Sequence, residues 1–351
     1  MRVSLAIPLV CIVLAGVSCP PDPTKLPRAD LADVKFWACQ VHGLTEADAV
    51  TDLANSRYDM LVLDPTRTDL SSQETASFDA AAMVQRLKAS VGHDGAHRKL
   101  LLAYLNIGEA EDWRWYWTWS RQWPEGQPRP SAWPSYIIKR DPEGWTGDYP
   151  VAYWDPAWKD IVINGVADSG QPYNSALDEV LVDGFDGVYL NWVEAFEDTD
   201  VYAAAHAAGK DPAAEMIAFI REIREYATLR GRSDFIIVQQ NAATLIEGHP
   251  ELVAPPRAID AIAHEGIWYY GDATDDWSDP DGYDIETEEL LTDYFVGYLD
   301  QFRQAGLPVF DCEYALQHAA SAYARANACG FKPYVTRTSL SRLTTILAPG
   351  Y

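Results

Sequence analysis

Gly184-Phe185-Asp186-Gly187-Val188-Tyr189-Leu190-Asn191, followed by Trp192, Val193 and Glu194, is the stretch on which the fold turns. A short apolar run entered through a glycine-containing turn and ended abruptly by polar residues suits a parallel strand covered on both faces. Its polar end, from Asn191 to Glu194, is where a site would form.

Seven further runs of this kind lie near Lys35–Gln40, Tyr58–Leu63, Leu100–Leu105, Phe235–Gln239, Ile259–Ala263, Pro308–Asp311 and Pro333–Thr336. Helical patterns separate them over Glu46–Asn55, Glu74–Ala89, Ala157–Leu181, Ala213–Leu229, Glu286–Gln304 and Leu316–Ala328. Eight strands alternating with mostly helical connections predict an α/β fold, a (β/α)8 TIM barrel. Periodicity alone also permits an open doubly wound sheet. Closure is favoured by the strand count and by polar residues recurring just after the strands: Asp64, Asn106 with Glu109, Asn191 with Glu194, Asn241, Glu265, Asp311 with Glu313, and Arg337. In a barrel these share one rim.

Met1-Arg2 followed by the apolar Val3–Gly16 forms a secretion signal over residues 1–18, too short to favour a membrane span. Ala15-Gly16-Val17-Ser18-Cys19 resembles the lipobox of bacterial lipoproteins, with Gly16 where leucine is usual. It predicts lipidation on Cys19, with ordinary cleavage nearby as the alternative. Residues 19–32, with Pro20, Pro21, Pro23 and Pro27, suit an extended tether, and residues 33–351 a single domain. Export to the cell envelope, with membrane contact only through the lipid, follows.

The chain carries 52 acidic against 27 basic residues, a formal charge of −25. That argues against nucleic-acid binding by phosphate neutralisation and leaves room for a cationic partner, although acidity also serves solubility. Cys39, Cys312 and Cys329 remain after the leader and Cys19, without a CxxC pair. One disulfide is possible; a buried apolar thiol is expected at Cys39.

Two insertions interrupt the alternation. Asp112–Trp154, after the third strand, contains Trp113, Trp115, Trp117, Trp119, Trp123, Trp133, Trp145 and Trp154. Aromatic faces stack on sugar rings, so this composition suits a carbohydrate groove, while about half of these rings are expected to form the loop's own core. The second, Gly271–Glu289, follows the sixth strand and is rich in aspartate. It lacks the glycine placement of a calcium loop and suits an acidic lid.

Cleavage of a glycosidic bond needs two carboxyl groups flanking it. Asp64, Glu109, Glu194, Glu265 and Asp311 are the candidates at the rim, each of which could instead be an ion-pair partner or helix cap. Gly-x-Ser-x-Gly, His-Glu-x-x-His, Walker and dinucleotide-binding glycine motifs are absent, so no cofactor or metal is expected. His264 suits a packed or hydrogen-bonded role behind Glu265.

Leu102–Asp112, Ala152–Trp158, Gly184–Leu190 and Gln240-Asn241 together resemble blocks of glycoside hydrolase family 114, whose members resemble endo-α-1,4-polygalactosaminidases. The resemblance spans nearly all of the mature chain. It implies a TIM barrel acting on an α-1,4-linked galactosamine polymer that becomes cationic on deacetylation. It also implies an acid/base role for Glu265 and a second carboxylate at the end of the fourth strand. This chain has Asn191 there, and an amide cannot act as nucleophile or base. Glu194, Glu109 or Asp64 would have to substitute; otherwise the linkage differs or the barrel binds glycan without cleaving it. Tyr104, Tyr153, Trp154, Asp155, Tyr189, Asn191, Asn241 and Asp311, with Asp64 and Glu109, are the expected surroundings of the sugar. Asp155 could equally cap the helix after it. Asp186 is expected at the opposite rim in a structural role.

Overall fold

A computed structural model describes residues 26–65, 78–142, 144–271, 277 and 284–351. Eight parallel strands follow one another in chain order around a barrel: β1 Trp37–Gln40, β2 Met60–Leu63, β3 Leu100–Asn106, β4 Gly187–Asn191, β5 Ile236–Gln240, β6 Ala261–Glu265, β7 Val309–Glu313 and β8 Lys332–Val335. Each strand hydrogen-bonds to the next. Between β8 and β1 the join runs through the Trp37 indole N–H, which donates to the Lys332 carbonyl at 2.8 Å, and just past the strands through the Val41 and His42 N–H groups, which donate to the Leu340 carbonyl at 3.1 and 3.2 Å. The Trp37 ring fills the barrel axis against Tyr189, Phe310 and Tyr334. The fold is a (β/α)8 TIM barrel, as the alternation of strands and helices predicts.

One clasp recurs three times at the strand entrances. Asp59, Asp186 and Asp260 each stand one residue before an even-numbered strand. The backbone N–H of each donates to the carbonyl of Phe36, Leu101 or Ile237 on the preceding strand or its start. The carboxylate of each accepts the N–H of that same residue, at 3.0, 3.1 and 2.8 Å. A parallel ladder leaves such N–H groups open at its end, and burying them without an acceptor is costly. Asp186, fully buried, also receives both ends of the Arg98 guanidinium at 2.8 and 2.9 Å and the Lys88 ammonium at 3.0 Å. Burial alone would raise its pKa, but these cations and their hydrogen bonds bring it below the usual range.

The glycines of the GFDG turn have separate duties. Gly184 ends the helix Ala176–Asp183 in the left-handed region with φ of +87°. Gly187 allows β4 and β5 to approach, since a Cβ there would lie 2.1 Å from the Ile236 carbonyl oxygen.

The span Ala157–Leu181 is not one helix. It holds a short α turn at Pro156–Lys159, a π turn at Asp160–Asn164 and then the helix Ala176–Asp183. Gly165, at φ +103°, closes the π turn, and Ser175 opens that helix by accepting the Asp178 N–H. Thr199–Ala207 is a helix that the apolar pattern does not announce. Other outer helices include Pro212–Leu229, Glu289–Gln304 and Ala319–Cys329.

Among the described residues no helix is long and apolar enough to cross a membrane. The leader, Cys19 and the first half of the tether lie outside the described residues, as does most of the aspartate-rich loop after β6. Cys39, Cys312 and Cys329 carry free thiols, the first two buried.

Asp186→Ala should lower folding stability by about 2–3 kcal/mol, because it leaves the buried Leu101 N–H without its acceptor and takes the counter-ion from the partly buried Arg98 and Lys88. Urea denaturation of the variant against wild type measures this; a loss below about 1 kcal/mol would contradict the assigned role.

Candidate active site

Glu265 ends β6 at the mouth, partly open to solvent. Its Oε2 accepts from the Gln240 amide at 2.7 Å and from the Asn241 amide at 3.4 Å, and its Oε1 accepts from the Tyr314 hydroxyl. The Asn241 carbonyl oxygen in turn accepts the Glu265 backbone N–H at 3.0 Å. Burial pushes the Glu265 carboxyl above the ordinary glutamate range, against the three donors that favour its ionised form.

The Asn241 NH2 group also donates to Glu194 Oε1, at 3.1 Å. Glu194 lies in the 3-10 turn Val193–Phe196 that follows β4, so one amide ties the ends of β4, β5 and β6 together. This geometry depends on unusual backbone at both turns. Trp192 has φ of +56°, and Asn241 and Ala242 have +53° and +54°, all in the left-handed region that non-glycine residues enter at a cost.

Tyr189 and Tyr104, paired in register, lie below this rim. Burial holds both phenols above their usual range, with the Glu265 charge adding to it. Asn191 stands at the end of β4 opposite Asn106, and its side-chain amide is bonded to no described residue.

Other expected pocket residues have different duties. The Asp64 carboxylate receives the Arg114 guanidinium at 3.0 and 2.8 Å, and Arg114 also binds Glu111 at 2.7 Å; all three are buried. This triad fastens the Trp-rich insertion to β2. Glu109 is held by Asn106 at 3.2 Å within the two-stranded ribbon Glu109–Glu111 with Asp148–Pro150. Burial, followed by the charges of Asp148 and Asp141, raises its pKa. Tyr153 is fully buried and donates to the Pro212 carbonyl at 2.6 Å. Trp154 meets the Tyr153 ring edge to face, and Asp155 caps the following helix through the Ala157 N–H at 2.9 Å.

Asp311 is turned away from the mouth. It pairs in register with His264, whose ring packs on Phe295 of the helix outside the barrel at 4.4 Å, so Asp311 shares that outer face. The alternation of side chains along β7 instead presents Phe310 and Cys312 inward, and Tyr314, just past the strand, continues that set. Buried beside Asp311, Glu313 accepts the backbone N–H groups of Trp268 and Tyr269, at 3.2 and 2.6 Å. Burial raises both carboxyls, Glu313 to about 7, and the Glu313 charge adds to the rise at Asp311.

His264 directs Nδ1 at the Glu265 carbonyl at 2.9 Å, and burial lowers its pKa to about 4, which keeps it neutral. In the insertion, Trp117 packs with Trp119, Trp133 and Tyr149, and Trp123 joins them beneath the Arg140 guanidinium. Half-exposed Trp145 stands apart from this core. Gln240, Tyr314 and Arg114 are contributors that strand-end polarity did not single out. For Tyr314 the usable signal was parity, two residues past Cys312.

Residues 33–348 match glycoside-hydrolase family GH114. The chain belongs to that family. An uncharacterized protein of Deinococcus radiodurans is 32% identical over 339 residues, covering 94% of this chain and 91% of its own. The uncharacterized protein MJ1477 of Methanocaldococcus jannaschii is 31% identical over 286 residues, covering 80% of this chain and 67% of its own. In structure the GH114 chain resembles Aspergillus fumigatus Ega3, crystallised in complex with galactosamine. The TM-score is 0.55 at 15% identity, with 90% of this chain and 95% of that one covered. At that identity the likeness concerns the fold.

Because Asp311 and Glu313 hold extra protons when folded, their contribution to stability is full below the unfolded values near about 4 and is lost as pH rises through the folded ones. Wild-type stability to urea should therefore fall between about pH 5 and pH 8, and Asp311→Asn, which removes one of the two titrating carboxyls, should lessen that fall. An undiminished fall in the variant would exclude the pair as its source.

Proposed function

We propose that this GH114 protein hydrolyses glycosidic bonds of a galactosamine-containing, α-linked polysaccharide, with Glu265 as general acid/base and Glu194 as the second carboxylate. The observation that carries the reading is the Asn241 amide shared between these two groups. Two oxygens bonded to the diverging hydrogens of one NH2 group lie roughly 5–6 Å apart, the spacing of double-displacement glycosidases rather than the wider one that admits water.

In this reading burial keeps the Glu265 proton available for the leaving oxygen. Glu194 attacks the anomeric carbon, giving a glycosyl ester, and the Glu265 carboxylate then takes a proton from the water that cleaves it. Asn191 contributes an amide to a sugar hydroxyl. The formal charge of −25 favours a cationic, partly deacetylated polymer, and Ega3's complex with galactosamine agrees with that class. Export by the Val3–Gly16 leader, with a lipid on Cys19 as tether, would bring the barrel to such a polymer.

Asn191 also favours a second reading, a surface barrel that binds glycan without cutting it. Assays of binding and of new reducing ends on partly deacetylated galactosamine polymers separate the two. A hydrolase yields new ends, and Glu265→Gln or Glu194→Gln lowers kcat by about 10²–10⁴-fold with binding kept. Full activity in either variant removes that residue from the mechanism. A binder gives saturable binding without new ends, and Asn191→Asp gains cleavage.

A further inference from the structure

We propose that Tyr314 is a positioning residue that holds Glu265 in its reactive orientation. For catalysis this rests on the glycosidase reading above; the hydrogen bond itself does not. Tyr314 follows β7 on the inward side, buried, and its hydroxyl donates to Glu265 Oε1. On the other oxygen, Oε2, the donors are the Gln240 and Asn241 amides. A carboxyl gripped at both oxygens by groups from β5 and β7 has one orientation. Without Tyr314, Oε1 loses its hold and the group can turn about its last side-chain bond.

A phenol serves here because its proton stays in place. Burial, then the charge of Glu265, raises the Tyr314 phenol well above its ordinary range. Other titratable groups near Glu265 are Cys39 on β1, Tyr104 on β3, Tyr189 on β4, Glu194 after β4 and Cys312 on β7. Burial raises those thiols and phenols too, so they stay protonated while Glu265 titrates. Among the donors that oppose burial at Glu265, Tyr314 is the one on Oε1. Its removal therefore moves the Glu265 titration further up in pH.

The test compares wild type with Tyr314→Phe, which keeps the ring in its packing, and with 3-fluorotyrosine at position 314, a stronger donor. Thermal melts show that each is folded. With partly deacetylated galactosamine polymer as substrate, Tyr314→Phe should lower kcat about 10–100-fold, leave KM within about twofold and move the basic limb of the pH profile upward. The fluorinated side chain should move that limb downward. In parallel, 13C titration of labelled glutamate, assigned with Glu265→Gln, should show the same opposite shifts without substrate. A protein that cuts nothing but shows the titration shifts retains the Tyr314 assignment and loses the hydrolase reading. Unchanged titration in both variants overturns the assignment, whatever the activity.

Discussion

Each of three aspartates, Asp59, Asp186 and Asp260, exchanges two hydrogen bonds with a single residue of the strand before it, one through its backbone and one through its carboxylate. Parallel strands cannot be registered by a tight turn, because the chain leaves through a helix before it returns. A clasp at the entrance supplies the missing registration, and a slip of one residue would send every side chain to the opposite face. What happens at the far rim depends on this. Glu265 points inward because Asp260 fixes β6 on β5, and β7, laddered in register on β6, turns Asp311 outward with His264 and leaves Tyr314 on the inward side.

The acids that bear on the site differ in the partners they meet. At the entrance, acids meet cations or backbone donors, as Asp186 does with Arg98 and Lys88. At the mouth, Glu265 meets neutral amides and a phenol, and burial raises rather than lowers its proton affinity. A cation there would fix the carboxylate as an anion, whereas neutral donors allow it to gain and lose a proton. The Arg114 guanidinium, by contrast, is taken up by Asp64 and Glu111.

The strands were legible because a buried parallel strand is a short apolar run with abrupt polar ends, and every barrel strand overlaps a segment marked by that pattern. The convergence of Glu194, Asn241 and Glu265 was legible only as a shared rim. Parity and partners were not. Asp311 follows an apolar run as Glu265 does, yet the two face opposite sides, and nothing local distinguishes them. Tyr153 and Asp155 sit in a conspicuous aromatic stretch but are occupied by a helix carbonyl and a helix start. Ala157–Leu181 is helical in pattern at its two ends, but Gly165, Gly170 and Pro172 lie between them, and Gly165 decides that the helix stops.

Asn241 combines a costly backbone with a shared amide. Asparagine tolerates the left-handed conformation better than most residues, and glycine would tolerate it with less strain. Glycine would, however, leave Glu194 and Glu265 without their common donor. Selection for a more robust fold and selection for an ordered mouth thus pull this position in opposite directions, making it a local compromise between durability and turnover.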